Sequence, residues 1–184
     1  MLDLIIKNGK CYINGELKDV DVSIKDGKIH KIGKTSDEAK DTINAEGQTV
    51  LPGCIDTQTH FREPGSTDTE DLHSGSRAAV AGGITSVFEM PNTNPPTSTK
   101  VEFQKKLDLA KNRMYCNYAF YFGATADNGN ELADLEKLEG CCGIKLFAGS
   151  STGNLLVAEE EDIDRVFQNS SKVVAVHSED EAIL

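Results

Sequence analysis

Apolar and polar positions fall into two textures along this chain, and the change comes near residue 52. The first fifty residues hold the short runs LDLIIKN, KCYI, DVDVSIK, KIHKIG and DTINAEGQTVL, cut by tight turns. Within VDVSI, Val20, Val22 and Ile24 alternate with Asp21 and Ser23, the two-residue period of a strand. Asn14-Gly15 and Asp26-Gly27 supply the positive φ angles that type I′ hairpin turns need. The pattern predicts a small β domain, sandwich-like, over residues 1–52. It closes at Leu51-Pro52-Gly53, a chain-turning signal.

From residue 53 to 184, short apolar runs alternate with helical stretches. GCIDT, ITSVFEM, CNYAFYFGA, GIKLFAG and KVVAVHS read as strands. EDLHSGSRAAVAGG, STKVEFQKKLDLAKN, NELADLEKLEG and AEEEDIDRVFQNS read as helices between them, and SEDEAIL as the start of a fifth. Regular βα alternation with near-continuous apolar strands predicts an α/β fold with a parallel sheet buried on both faces. A barrel and an open doubly wound sheet both fit. No glycine-rich phosphate loop follows the first strand, which weighs against a dinucleotide-binding fold.

The unusual polar residues sharpen the choice. Gln58 and His60 fall at the carboxyl end of the first strand of this series, and Glu89, Pro91 and Asn92 at the end of the second. Lys145 lies in the fourth, and His177 ends the fifth. In a (β/α)₈ barrel the active site gathers at that rim. The expectation is therefore a partial TIM barrel of about five βα units, preceded by the β domain.

Composition narrows the function. Thirty acidic against 19 basic residues give a formal net charge of −11, which repels phosphate backbones and argues against nucleic-acid binding. The longest apolar stretch, near residues 80–90, is too short and too interrupted to span a membrane. The start MLDLIIKNGK lacks the apolar run of a secretory signal, and five cysteines without a CxxC pair suit free thiols in a reducing cytoplasm. Adjacent Cys141 and Cys142 read as small packing residues.

The segment IDTQTHFREPG poses the chemical question. A strand turns positions 58 and 60 to one side, an arrangement suited to paired metal ligands, yet only His60 is a strong one. Gln58 leaves three readings open: a substituted metal site, a damaged one, or none. Each candidate also has a bland reading taken singly. His60 would be a hydrogen-bonded structural histidine, Lys145 would snorkel to solvent, His177 would begin a helix, and Arg62 would pair with Glu63 or Asp68. His30, in the β domain, and His73, in the first helix, keep the bland reading.

Four stretches, LPGCIDTQTHFREPG, SRAAVAGGITSVFEMPNTNPPT, GIKLFAGSSTGNLLV and VAVHSEDE, make the chain resemble the amino-terminal portion of a dihydroorotase of the amidohydrolase superfamily. HFREPG with EMPNTNP points there rather than to a hydantoinase or allantoinase. The resemblance implies a metal-dependent hydrolase that interconverts dihydroorotate and N-carbamoyl-aspartate in pyrimidine biosynthesis, in the cytoplasm, as a homo-oligomer or beside another pathway enzyme. It implies one or two zinc ions held by His60, His177 and Lys145, the lysine N6-carboxylated to offer two anionic oxygens. Arg62 and Asn92 match the pair that grips the substrate carboxylate, a task suited to a guanidinium fork. Asp56 and Gln58 are left as orienting residues or weak ligands. The family's general-base aspartate and remaining histidine ligand correspond to nothing before Leu184. The 184 residues thus read as a truncated chain, expected to be inactive alone. An inactive scaffold subunit and a hydantoinase- or allantoinase-type enzyme are the alternatives.

Overall fold

The computed structural model describes residues 1–151, 153–180 and 183, and divides into two compact units, Met1–Pro52 and Gly53–Leu184. In the first unit, β1 (Leu2–Lys7), β4 (Val22–Lys25), β5 (Lys28–Ile32) and β6 (Ala39–Asn44) form one sheet in the order β5-β4-β1-β6. A smaller sheet contains β2 (Lys10–Ile13), β3 (Glu16–Asp19) and β7 (Thr49–Val50). Leu2, Ile5, Cys11 and Ala45 are buried here, a β-sandwich core.

Both expected hairpin turns form, with Asn14 and Gly15 at φ 53° and 87°, and Asp26 and Gly27 at 52° and 70°. The run DVDVSIK is not one strand: it breaks between β3 and β4. There the buried side carries Asp21 and Ser23, while Val22 and Ile24 are half-buried. The Asp21 carboxylate is satisfied by the Thr35 amide and the Lys34 ammonium, each at 3.2 Å, which makes its burial tolerable.

In the second unit β8 (Cys54–Thr59), β9 (Ile84–Glu89), β10 (Asn117–Gly123), β11 (Cys141–Phe147) and β12 (Val174–His177) pair parallel, each with its neighbour in sequence. A doubly wound sheet reverses its strand order at a switch point. This one does not, and it curls as a partial (β/α) barrel.

The intervening helices are α1 (Leu72–Ala81), α2 (Lys100–Ala110), α3 (Leu132–Leu135) and α4 (Glu160–Gln168). The third is shorter than NELADLEKLEG suggests, a 3₁₀ turn at Gly129–Glu131 followed by one α-turn. Of the helix expected in SEDEAIL, residues 181, 182 and 184 fall outside the described residues, and 178–180 are not helical. Among the described residues no helix is long and apolar enough to cross a membrane.

One core joins helices to sheet. Leu72, Phe103, Ala110, Leu132, Leu135 and Val166 of the helices meet Val87, Phe120, Phe122, Ile144 and Leu146 of the strands. Each fully buried phenylalanine contributes about 1.5–3 kcal/mol. Period-two alternation then sends Lys145 and Phe147 to the sheet face opposite this core.

Candidate functional site

Two segments converge at the carboxyl ends of β8 and β9 because backbone bonds tie them together. The Met90 amide donates to Thr59 O, and the Asn94 amide to Pro64 O, both at 2.9 Å. Across this seam His60 Nδ1 lies 2.8 Å from Asn92 Oδ1. With that oxygen accepting, Nδ1 carries the proton and Nε2 keeps its lone pair. Burial pushes the half-buried imidazole below its ordinary value. The Asn92 bond opposes that shift, and the nearby Arg62 and Lys145 cations add to it. The balance favours the neutral imidazole of His60, the form a metal ligand requires.

Lys145 does not snorkel. It is 3% exposed, its ammonium sits 4.7 Å from the Phe147 ring centroid, and burial lowers its proton affinity. The register pairs Lys145 with Ala175 and Phe147 with His177, which brings the lysine and the second histidine to one face. The His177 ring stacks on Phe147 with centroids 6.0 Å apart, and its Nε2 lies 3.3 Å from Glu179 Oε1. Phe147 is therefore a shared wall between two candidate ligands. Sequence reasoning passed over it, although it lies two residues beyond Lys145 on the same strand face.

Gln58 and Asp56 behave differently. Between Asp56 and Thr59 the β8–β9 register shifts, so β8 spends three steps where β9 spends two. The Gln58 amide turns to Asp56 Oδ1 at 3.0 Å, and residue 58 is exposed. The continuous two-residue alternation expected along this strand is interrupted by that bulge.

Arg62 is exposed at φ 63° and, among the described residues, forms no ion pair. The carboxylate beside it in sequence is engaged elsewhere. Glu63 accepts from Arg113 at 2.7 and 3.1 Å and from the Leu72 amide at 2.9 Å, at the start of α1.

Of two fully buried charges, Glu89, expected at the rim, turns to the helix side of the sheet, and Lys106 was missed. Glu89 and Lys106 form an ion pair on the helix side of the sheet. A charged residue inside the apolar run SVFEM was the available signal for one. For the other it was the spacing Phe103, Lys106, Ala110, which lays the lysine on the buried stripe of α2. Cys141 and Cys142 pack as expected, burial pushing the Cys142 thiol up to about 12 and out of the reactive range.

The donor set fits a metal centre in part. It offers two imidazoles and a buried amine whose proton affinity burial lowers, one that becomes an anionic ligand only when carboxylated. Among the described residues no three His, Cys, Asp or Glu side chains gather as a complete site.

Residues 49–177 match the amidohydrolase family. The chain is 38% identical over 185 residues to a dihydroorotase of Methanosarcina acetivorans, covering 98% of this chain and 39% of that protein. It is 35% identical over 190 residues to an allantoinase of Escherichia coli O1:K1 / APEC, covering 98% and 42% respectively. Among solved structures, L-hydantoinase (dihydropyrimidinase) from Arthrobacter aurescens superposes with a TM-score of 0.91 at 32% identity, over 100% of this chain and 42% of that one. The chain spans about two-fifths of the length of the curated relatives it matches.

Proposed function

This chain belongs to the amidohydrolase family, and on that premise we propose that it serves a dihydroorotase-type reaction, opening or closing a cyclic amide that bears a carboxylate. The observation that carries this reading is Arg62, an exposed guanidinium two residues from His60, beside a segment whose Asn92 already touches that histidine. Arg62 has no carboxylate of its own to pair with among the described residues, and Glu63 is committed to Arg113. A guanidinium fork suits a substrate carboxylate, and Asn92 retains its Nδ2 donors for the same anion. Hydantoin and allantoin rings carry no such carboxylate, so the pair favours dihydroorotate over them.

His60, His177 and a carboxylated Lys145 would hold the metal. When bound, that ion polarises the amide carbonyl and supplies a nucleophile at neutral pH. This chain's own side chains do the rest that can be assigned. Asn92 fixes the His60 tautomer, Phe147 walls Lys145 from water, and Arg62 orients the ring by its carboxylate. Burial favours the neutral amine of Lys145, the form that attacks carbon dioxide and releases a proton to leave the carbamate.

The test compares dihydroorotate, allantoin and hydantoin as substrates of the active protein, with and without Arg62→Met. Losing one charge-assisted contact costs about 1.5–3 kcal/mol, so KM for dihydroorotate should rise roughly ten- to a hundredfold. The carboxylate-free rings should be unaffected. Equal kinetics of both forms on dihydroorotate would remove Arg62 from the substrate site.

A further inference from the structure

Glu89 and Lys106 are 1% and 0% exposed, deep on the helix side of the sheet. Burying two charges is costly, and an apolar pair of similar size would often give as much stability. Where their polar atoms go is more informative. Glu89 Oε1 accepts from the Phe61 amide at 3.3 Å, the residue between His60 and Arg62. Lys106 Nζ pairs with Glu89 and donates to Met90 O at 2.9 Å, two residues before Asn92. The ammonium also lies 5.1 Å from the Phe120 ring centroid, which holds it from the core side. One side chain of the pair therefore grips the segment carrying His60 and Arg62. The other grips the segment carrying Asn92.

We propose that the Glu89–Lys106 pair is a positioning device that sets His60 against Asn92, keeping the imidazole proton on Nδ1 and the lone pair on Nε2. Glu89 and Lys106 themselves touch neither substrate nor metal. The positioning is read from this chain alone. Only its consequence for turnover rests on the dihydroorotase reading, so failure of the substrate assay leaves it standing.

The pair acts by geometry. A backbone amide is held by a carboxylate and a backbone carbonyl by an ammonium, and the two holders are bound to each other. Combining Glu89→Gln with Lys106→Met keeps the volume while removing the charged link between segments. The new glutamine can still accept from the Phe61 amide. The new methionine has no donor for Met90 O, so the two segments lose their common anchor.

The experiment is nitrogen-15 long-range correlation of the histidine rings in the EDTA-treated chain, which reports the tautomer of each imidazole. In the natural chain His60 should be the Nδ1–H form. Asn92→Ala should abolish that signature and serve as the reference for its loss. The double change Glu89→Gln with Lys106→Met should shift His60 toward the ordinary Nε2–H form, while Lys105→Met, on the exposed side of α2, should leave it alone. A pair that merely stabilises the fold would lower the melting temperature and leave the tautomer unchanged, and that result would overturn the proposal. Should the double variant not fold, amide exchange on the natural chain decides. The Phe61 amide should exchange roughly a hundredfold or more slower than an open-loop amide, and exchange at the open-loop rate would refute the contact on which the device depends.

Discussion

Substituting Gly75 by alanine sets two known effects against each other, and the structure decides the sign. Gly75 lies within α1, where replacing glycine by alanine ordinarily stabilises a helix by about 1 kcal/mol. A Cβ built there would meet Phe61 Cδ1, Cγ and Cε1 at 2.4, 2.7 and 2.8 Å, closer than real side chains approach. The ring has little room to yield. Phe61 is 6% exposed, lies in the main core, and its amide is held by Glu89. Overpacking of this kind costs about 1–3 kcal/mol, and displacing the Phe61 backbone from Glu89 adds to it, so the balance should be a net destabilisation of about 1–2 kcal/mol. Gly82, at the end of the same helix, is the control. Its φ of −85° suits alanine and the nearest contact for a Cβ is 3.5 Å, so Gly82→Ala should be neutral or stabilising by up to about 1 kcal/mol. Urea unfolding followed by far-UV circular dichroism, with the slope unchanged, measures both. In thermal scans the Gly75 variant should melt roughly 2–8 °C lower. A Gly75→Ala chain as stable as Gly82→Ala would show that the Phe61 ring is free to move and that α1 does not press on it.

Other predictions reach the rest of the molecule. Glu136 is buried, which raises its proton affinity, but the Ser171 hydroxyl and the Ser171 and Lys172 amides outweigh that and hold it below the ordinary value. An unfolded chain then binds that proton more readily. The stability Glu136 contributes is full above its ordinary value of 4.5 and fades as the pH falls through the folded one. The gap in urea midpoint between the natural chain and Glu136→Gln should therefore close on going from about pH 6 to about pH 3, and a constant gap would mean the amides do not hold the carboxylate. Lys145 should give a carbamate carbon signal in 13C-bicarbonate that Lys145→Ala abolishes; a signal unaffected by the change would place the carbamate elsewhere. Gln58 is a weak neutral donor, so the natural protein should hold about one zinc tightly and Gln58→His should raise the content by elemental analysis. Two firmly held ions in the natural protein, unchanged by the substitution, would mean that Gln58 is no defect.

Local rules were enough for most of the elements and for where along the strands the candidate polar residues fall. Asn14-Gly15 and Asp26-Gly27 made their hairpins because two adjacent positive φ angles leave few other turns. The parallel strands were legible as short apolar runs, but burial on both faces holds for the central β10 and β11, while β8 is largely exposed and β12 only half-buried. His60, Asn92, Lys145 and His177 were legible because each is a polar residue at or near the end of such a run. What the local pattern did not contain was partnership across the chain. Glu63 sits beside Arg62 in sequence, but its carboxylate goes to Arg113, fifty residues on, because the start of α1 and the end of α2 meet over it. Asp21 and Ser23 look like an outer face, but Thr35 and Lys34 reach Asp21 once the β4–β5 hairpin closes, and the polar side becomes the buried one. The bulge at Gln58 follows from the pairing of β8 with β9, a property of two strands and not of either alone. Glu89 and Lys106 are the clearest case: a lone charge in an apolar run reads as a cost, and only the packing of α2 on β9 turns two such costs into one anchored pair.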